Sequence, residues 1–139
     1  MYIGEYYHSF DEKGRVSFPA KLREELGEQF VITKGLDGCL SAYSMEKWEH
    51  ISEVVAALPQ AKARDLKRFM FSSATVVNPD KQGRVLITPT LRAFANFTKD
   101  VAVIGASDHV ELWDKETWIE RNAAIDSDAI AAAMDELGF

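Results

Sequence analysis

Asp11-Glu-Lys-Gly14-Arg15-Val16 recurs as Asp80-Lys-Gln-Gly83-Arg84-Val85 at an offset of 69 residues, and the pair Leu22, Arg23 recurs as Leu91, Arg92 in the same register. After a one-residue slip the correspondence continues at an offset of 70, with Gly35 answering Gly105, Tyr43 answering Trp113 and Trp48 answering Trp118. A register kept that long marks an internal duplication. Two copies, rather than three or more stacking units, make it a duplicated motif and not a solenoid.

Each copy reads as strand, tight turn, strand, short helix, strand, turn, strand, longer helix. Tyr6, His8 and Phe10 alternate with Tyr7 and Ser9 as a half-buried strand does. Asp at the first turn position and Gly at the fourth is the pattern of a type I turn, with Gly free to take the left-handed conformation that closes a bulged hairpin. Beyond the turn Val16 and Phe18 point one way, Arg15 and Ser17 the other. In the second copy Val85 and Ile87 oppose Arg84, Leu86 and Thr88, so its outer face is partly apolar and is expected to be covered. Pro19 and the pair Thr88-Pro89 mark helix starts, and Ser44 and Asp114 are expected to cap the longer helices. The first of those helices carries Trp48, Ile51, Val55 and Leu58 at helical spacing, and Pro59 ends it. The division that follows is residues 5–48 for the first motif, 49–76 for linking helices, 77–120 for the second motif and 121–139 for an acidic C-terminal helix. In that helix Ile130, Met134 and Leu137 form a stripe expected to pack on the chain's own body.

A chain of 139 residues, 47% hydrophobic, can bury one core and not two large ones. No apolar run approaches the roughly 18 residues of a membrane span, and the N-terminus lacks a signal-peptide pattern, so a cytoplasmic protein is expected. The net charge of −6 argues by itself against nucleic acid, whose nonspecific affinity comes from Lys and Arg neutralising phosphates. Its distribution changes that. From Asp108 onward nine acidic residues stand against Lys115 and Arg121, a balance of −7 that leaves +1 for residues 1–107 and permits a basic face there.

Constellations for catalysis are poor. His8, His50 and His109 fall in different elements without metal-ligand spacing, and the single cysteine, Cys39, sits in a strand where it is expected to pack as a small hydrophobe. No glycine-rich loop cradles a phosphate. Trp48 and Trp118 read as core, and Lys62, Arg64, Lys67 and Arg68 as the solvated face of a linking helix that buries Leu66, Phe69 and Met70. The expectation is a protein without enzymatic activity, cofactor, metal or small-molecule substrate.

Arg15 and Arg84 stand apart, because each follows an Asp-x-x-Gly turn in register and points away from the apolar face. A guanidinium offers a rigid fork of donors that can grip guanine O6 and N7 or a phosphate. It can equally close a salt bridge to its own turn aspartate, Asp11 or Asp80. From the residues alone both readings remain open.

At these residues the sequence resembles the MraZ family, whose signature is a pair of Asp-x-x-x-Arg motifs in SpoVT/AbrB-type units. The likeness runs through Gly4-Glu5-Tyr6-Tyr7-His8, Asp11 to Arg23, Gly35-Leu-Asp-Gly-Cys-Leu40, Arg68-Phe-Met-Phe71, Asp80 to Leu91 and Ile104-Gly-Ala-Ser-Asp-His-Val-Glu-Leu-Trp113. Thr88 departs from it, standing where the family usually has a second proline, and the acidic tail lies outside the shared motif. The resemblance implies an α+β fold in which two swapped-hairpin units interlock into one β-barrel with flanking helices. It also implies a ring-shaped homo-oligomer, associated with the nucleoid, that binds double-stranded DNA at short direct repeats upstream of the division and cell-wall gene cluster and acts as a repressor. By motif correspondence Arg15 and Arg84 would contact DNA, with Asp11 and Asp80 orienting them and Gly14 and Gly83 closing the turns; Lys13, Lys81 and Gln82 are further candidates from turn position. The alternatives are an antitoxin-like AbrB relative that binds a toxin as well as DNA, and a ring-forming interaction protein with no DNA role.

Overall fold

Both Asp-x-x-Gly turns close as their residues require. In the computed structural model, which describes residues 1–139, the Gly14 N–H donates to the Asp11 carbonyl at 3.1 Å and the Gly83 N–H to the Asp80 carbonyl at 2.9 Å. Both glycines take positive φ, 79° and 76°, a region open to Gly at no steric cost.

In chain order the elements are β1 (Glu5–Ser9), β2 (Arg15–Ser17), α1 (Ala20–Leu26), β3 (Phe30–Lys34), β4 (Leu40–Ser44), α2 (Met45–Ala56) and α3 (Gln60–Phe71). The second copy supplies β5 (Thr75–Val77), β6 (Arg84–Leu86), α4 (Pro89–Phe94), β7 (Asp100–Gly105), β8 (Val110–Asp114) and α5 (Lys115–Ala123), and α6 (Ser127–Leu137) follows. The fold is α+β, with six helices and antiparallel strand pairing throughout. No helix is long and apolar enough to cross a membrane.

The copies exchange strands. β1 of the first pairs with β7 of the second, and β5 of the second pairs with β3 of the first. Two contacts lie on a common pseudo-dyad: Val16 opposite Val85 at the centre of β2–β6, and Ser41 opposite Glu111 at the centre of β4–β8. Around these centres every pair has its mate, Arg15 with Leu86 matching Ser17 with Arg84, and Leu40 with Leu112 matching Ala42 with Val110.

The closed barrel expected from the resemblance is not what these ladders draw. A six-stranded sheet runs open in the order β1-β7-β8-β4-β3-β5, and β2–β6 is a separate two-stranded ribbon. The ribbon is short because beyond three pairs each strand runs into its partner's turn, the Phe18 N–H donating to the Gly83 carbonyl and the Ile87 N–H to the Gly14 carbonyl.

The repeat register also needs correction. His8 pairs with Val101 where its counterpart Val77 pairs with Phe30, so β3 and β7 correspond at an offset of 71 (30 to 101), not 70. Gly35 therefore answers Ala106, and both close their turns in the same way, Gly35 N–H to the Cys39 carbonyl and Ala106 N–H to the His109 carbonyl. Gly105 is glycine for a different reason: a Cβ there would collide with the Ile3 backbone, where the N-terminal segment crosses β7.

One cluster of 18 buried residues draws on both copies, from Val16, Phe18, Leu22 and Phe30 to Val85, Ile87, Leu91 and Val101, so there is a single main core. A smaller cluster of Cys39, Ala102, Ile104 and Trp113, with Trp118 against it, lies apart from that core. The helix caps are as expected for Ser44, which accepts from the Lys47 N–H at 3.1 Å, and for Asp114, which accepts from the Thr117 N–H at 3.4 Å. Thr88 caps α4 with Pro89 in its first turn, whereas Pro19 occupies the cap position itself and leaves α1 without a side-chain cap.

Three packing expectations fail. Leu86 is 55% exposed and uncovered, Leu58 lies beyond the end of α2 and is exposed, and α6 buries nothing. Ile130 and Leu137 of that last helix are 49% and 71% exposed. α3, by contrast, lies on the body: Ala63 is buried, the Thr33 hydroxyl donates to the Met70 carbonyl, and Phe71 packs on Trp48.

Candidate nucleic-acid interface

The ribbon brings the two repeated motifs to one place. Its inner face is Val16 and Val85, both buried, and its outer face is Arg15, Ser17, Arg84 and Leu86. At the turns each aspartate accepts twice on Oδ1 from backbone, Asp11 from the N–H groups of Lys13 and Arg15 and Asp80 from those of Gln82 and Arg84, all at 2.9 Å. The second oxygen takes the arginine side chain: Arg15 Nε to Asp11 Oδ2 at 2.7 Å, and Arg84 Nε to Asp80 Oδ2 at 3.0 Å. The salt bridge to the turn aspartate is thus present in both copies.

It is also crossed. Arg15 Nη1 lies 3.8 Å from Asp80 Oδ2, and Arg84 Nη1 lies 3.5 Å from Asp11 Oδ2. The four side chains form a closed quartet about the pseudo-dyad, two guanidiniums and two carboxylates alternating. The arginines are half-buried, each 29% exposed, because this quartet holds them against the turns. The Arg15 backbone N–H does most to hold the Asp11 carboxyl below the ordinary carboxylate range, and the Arg84 backbone N–H does the same for Asp80, with the paired guanidiniums adding to both. Both therefore remain ionised at neutral pH, and each fixes its guanidinium through Nε and leaves Nη2 without a protein acceptor. Two oriented forks a few ångströms apart, presented by a ribbon narrow enough for a major groove of about 12 Å, form an arrangement that can grip acceptors on base edges or phosphates. Lys13, Lys81 and Gln82 are exposed on the same turns.

The duplicated Leu-Arg pair has a role that the sequence reading left unassigned. Arg23 of the first copy lies across the second copy's turn, its Nε 2.6 Å from where a Cβ on Gly83 would stand, and donates to the Phe18 carbonyl at 2.9 Å. Arg92 reciprocates over Gly14, its Nη1 3.0 Å from the corresponding point, and stacks on Phe10 at 5.1 Å. Each guanidinium thus lies over the other copy's turn, Arg23 hydrogen-bonded and Arg92 with its buried Nε unpaired. The recurrence of Arg23 as Arg92 in the register of Arg15 and Arg84 was the available signal.

Other candidates resolve into structure. The Cys39 thiol is buried, donates to the Leu36 carbonyl, and is pushed up to about 12 chiefly by that burial, which removes it as a nucleophile. Trp48 packs between Tyr43 and Phe71, and Trp118 packs on Trp113 while donating to Glu5 at 2.7 Å. His109 bridges Asp108 and Glu111 at 2.8 and 3.1 Å.

The sequence matches a known family and known proteins over its full length. The profile of the family described as "MraZ protein, putative antitoxin-like" matches twice, over residues 1–69 and 70–137. A Clostridium botulinum protein named "Transcriptional regulator MraZ" is 50% identical over 142 aligned residues covering the whole of both chains. Proteins of the same name from Clostridium acetobutylicum and a Thermoanaerobacter species are 47% and 48% identical, again over the full length of each.

Proposed function

This chain belongs to the MraZ family, and we propose that it is a sequence-specific DNA-binding transcriptional regulator, acting as a repressor on short direct repeats upstream of the division and cell-wall gene cluster. In this reading it is a binding protein without catalysis, working at the nucleoid as a ring-shaped homo-oligomer. The observation that carries it is the crossed Asp11–Arg15–Asp80–Arg84 quartet, which orients two guanidiniums outward from one ribbon. Fold maintenance alone does not require two such forks to converge.

Each chain, with its two motifs, would occupy one repeat, and neighbouring chains the next. Support for assembly comes from the apolar side chains of α6, which find no cover on their own chain. A head-to-tail contact between two different faces closes into a ring when its rotation allows. Because the chain carries a net charge of −6, a single subunit should hold DNA weakly, and the ring should add roughly 10² to 10⁴ in avidity when repeat spacing matches subunit spacing.

The test is binding to DNA from upstream of the chain's own gene, with one, two and three repeats in and out of helical phase. Affinity should climb steeply with in-phase repeat number, and light scattering at micromolar concentration should report several subunits. Arg15→Ala and Arg84→Ala should each weaken binding by about 10- to 100-fold, the worth of a bidentate base contact, while melting close to wild type. Equal affinity for all repeat numbers would show that each chain reads alone. Normal binding by either arginine variant, or its early melting, would return the quartet to a structural role. The family description also names an antitoxin likeness, and the free α6 stripe would suit a toxin partner. A chain that is monomeric by light scattering would favour that second reading.

A further inference from the structure

We propose that Leu86 reads a thymine: its side chain meets the C5-methyl group of a thymine in the major groove, within one or two base pairs of the base edge that Arg15 grips. The inference rests on the DNA-binding reading of Arg15 and Arg84. Leu86 lies in β6 between two buried residues, Val85 and Ile87, and turns the opposite way, so its exposure follows from strand alternation. No packing on the chain requires an aliphatic side chain there. It lies over Gly14, with Cδ1 3.8 Å from where a Cβ on that glycine would stand.

Position decides what could cover it. Leu86 is the direct cross-strand partner of Arg15 and lies two residues from Arg84 on the same outer face. Cross-strand partners place their Cβ atoms about 4.5–5.5 Å apart, so anything that covers Leu86 also covers Arg15. A second protein chain seated on Leu86 would close the arginine face; DNA whose base edges are gripped by the arginines brings those edges to Leu86 as well. The thymine methyl is the apolar group that those edges carry in the major groove.

The pseudo-dyad sharpens this. The counterpart of Leu86 is Ser17, which stands opposite Arg84. A hydroxyl can donate to or accept from any base edge, whereas an isobutyl group favours a methyl. One chain therefore presents two unequal halves, a thymine-demanding half beside Arg15 and a tolerant half beside Arg84. A symmetric reader would bind its site in either direction. This one has a preferred polarity on DNA, which is what repeats arranged head to tail require.

The experiment replaces each thymine of the bound site in turn by deoxyuridine, which removes the methyl and nothing else. For the wild-type chain one position should lower affinity by about 3- to 10-fold, the scale of one buried methyl. Leu86→Ser should bind thymine and deoxyuridine sites equally, and Ser17→Leu combined with Leu86→Ser should move the sensitivity to the other half of the site. Both variants change exposed or half-exposed positions, and their melting curves check that they fold. A wild-type chain that binds DNA but ignores every deoxyuridine overturns the proposal, as does a Leu86→Ser variant that keeps the effect. A subunit count altered by Leu86→Ser, with no deoxyuridine effect in wild type, assigns Leu86 to a chain–chain contact instead. Failure of the wild-type chain to bind any of the DNAs overturns this inference together with the reading beneath it.

Discussion

The helix that follows the first copy lies down on the sheet, and the one that follows the second stands off it. α3 and α6 are of similar length and both carry an apolar stripe, yet α3 buries Ala63 and half-buries Leu66, Phe69 and Met70 while α6 buries nothing. The difference is connectivity. α3 must deliver the chain to β5, which pairs with β3 deep in the other copy, so its path runs across the body; α6 delivers no strand. Periodicity told both helices what to hide, and only one was also told where. The copies share the exchanged strands and the crossed ion pairs, and they differ in which side chains fill the core between them and in what faces outward, as Leu86 differs from Ser17.

The core offers the largest test of that contrast. Phe30 and Val101 occupy equivalent places, both fully buried, but only Phe30 stacks on a second ring, Phe18, at 5.0 Å, where the other copy has Ile87. Phe30→Ala should cost about 3–5 kcal/mol in denaturant unfolding, and Val101→Ala about 2 kcal/mol. Both should unfold the chain in one cooperative transition, since the core is shared. Separate transitions for the two halves would break the picture of exchanged strands.

Glycines separate bracing from mere turn geometry. Gly83→Ala places a methyl group at positive φ and against the guanidinium of Arg23, whereas Gly38→Ala, at φ 82°, meets nothing within 4 Å. Strain at positive φ costs about 1 kcal/mol in both; displacing Arg23 from its hydrogen bond should add about 1–2 kcal/mol at Gly83 alone. Equal losses in thermal melting would mean that Arg23 braces nothing.

The smallest effect belongs to the second copy, since its His109–Asp108–Glu111 cluster replaces Cys39 at the equivalent turn. The carboxylates hold His109 above its ordinary range, with the hydrogen bond to Glu111 the leading cause, and hold Glu111 and Asp108 below theirs. A raised histidine stabilises fully below about pH 6.5 and loses that contribution as pH rises through its folded value; depressed carboxylates stabilise above about pH 4 and fail as pH falls. The cluster should therefore contribute most near pH 5–6. His109→Asn should lower Tm there by a few degrees and little at pH 8.5, and a Tm difference independent of pH would show that His109 is neutral.

Much of this was legible in residues that act locally. The Asp-x-x-Gly turns, the Ser44 and Asp114 caps and the alternation through Val16 and Phe18 depend on neighbours within four positions, and sequence states those directly. The quartet was half legible: the repeat placed Arg15 beside Asp11, but its crossing to Asp80 depends on β2 meeting β6, a pairing without local signature. The slip at β7 was misread because Gly105 matches Gly35 in type while serving the Ile3 crossing. Leu86 and α6 were expected to find cover because apolar side chains usually do, and burial depends on the path of the whole chain.

The exchange of strands also sets a timetable. β1 pairs with β7 and with no earlier strand, Glu5 lying opposite Ile104, so the first copy leaves the ribosome without a partner for its leading edge. At synthesis rates of about 5–20 residues per second, an unpaired β1 and an unfilled core persist for on the order of 10 s before residues 100–105 emerge. Contacts this distant in sequence also make folding slow once the chain is complete. Nascent chains of this protein should consequently be clients of ribosome-associated chaperones, and neighbouring chains on one message have a window in which β1 of one could meet β7 of another.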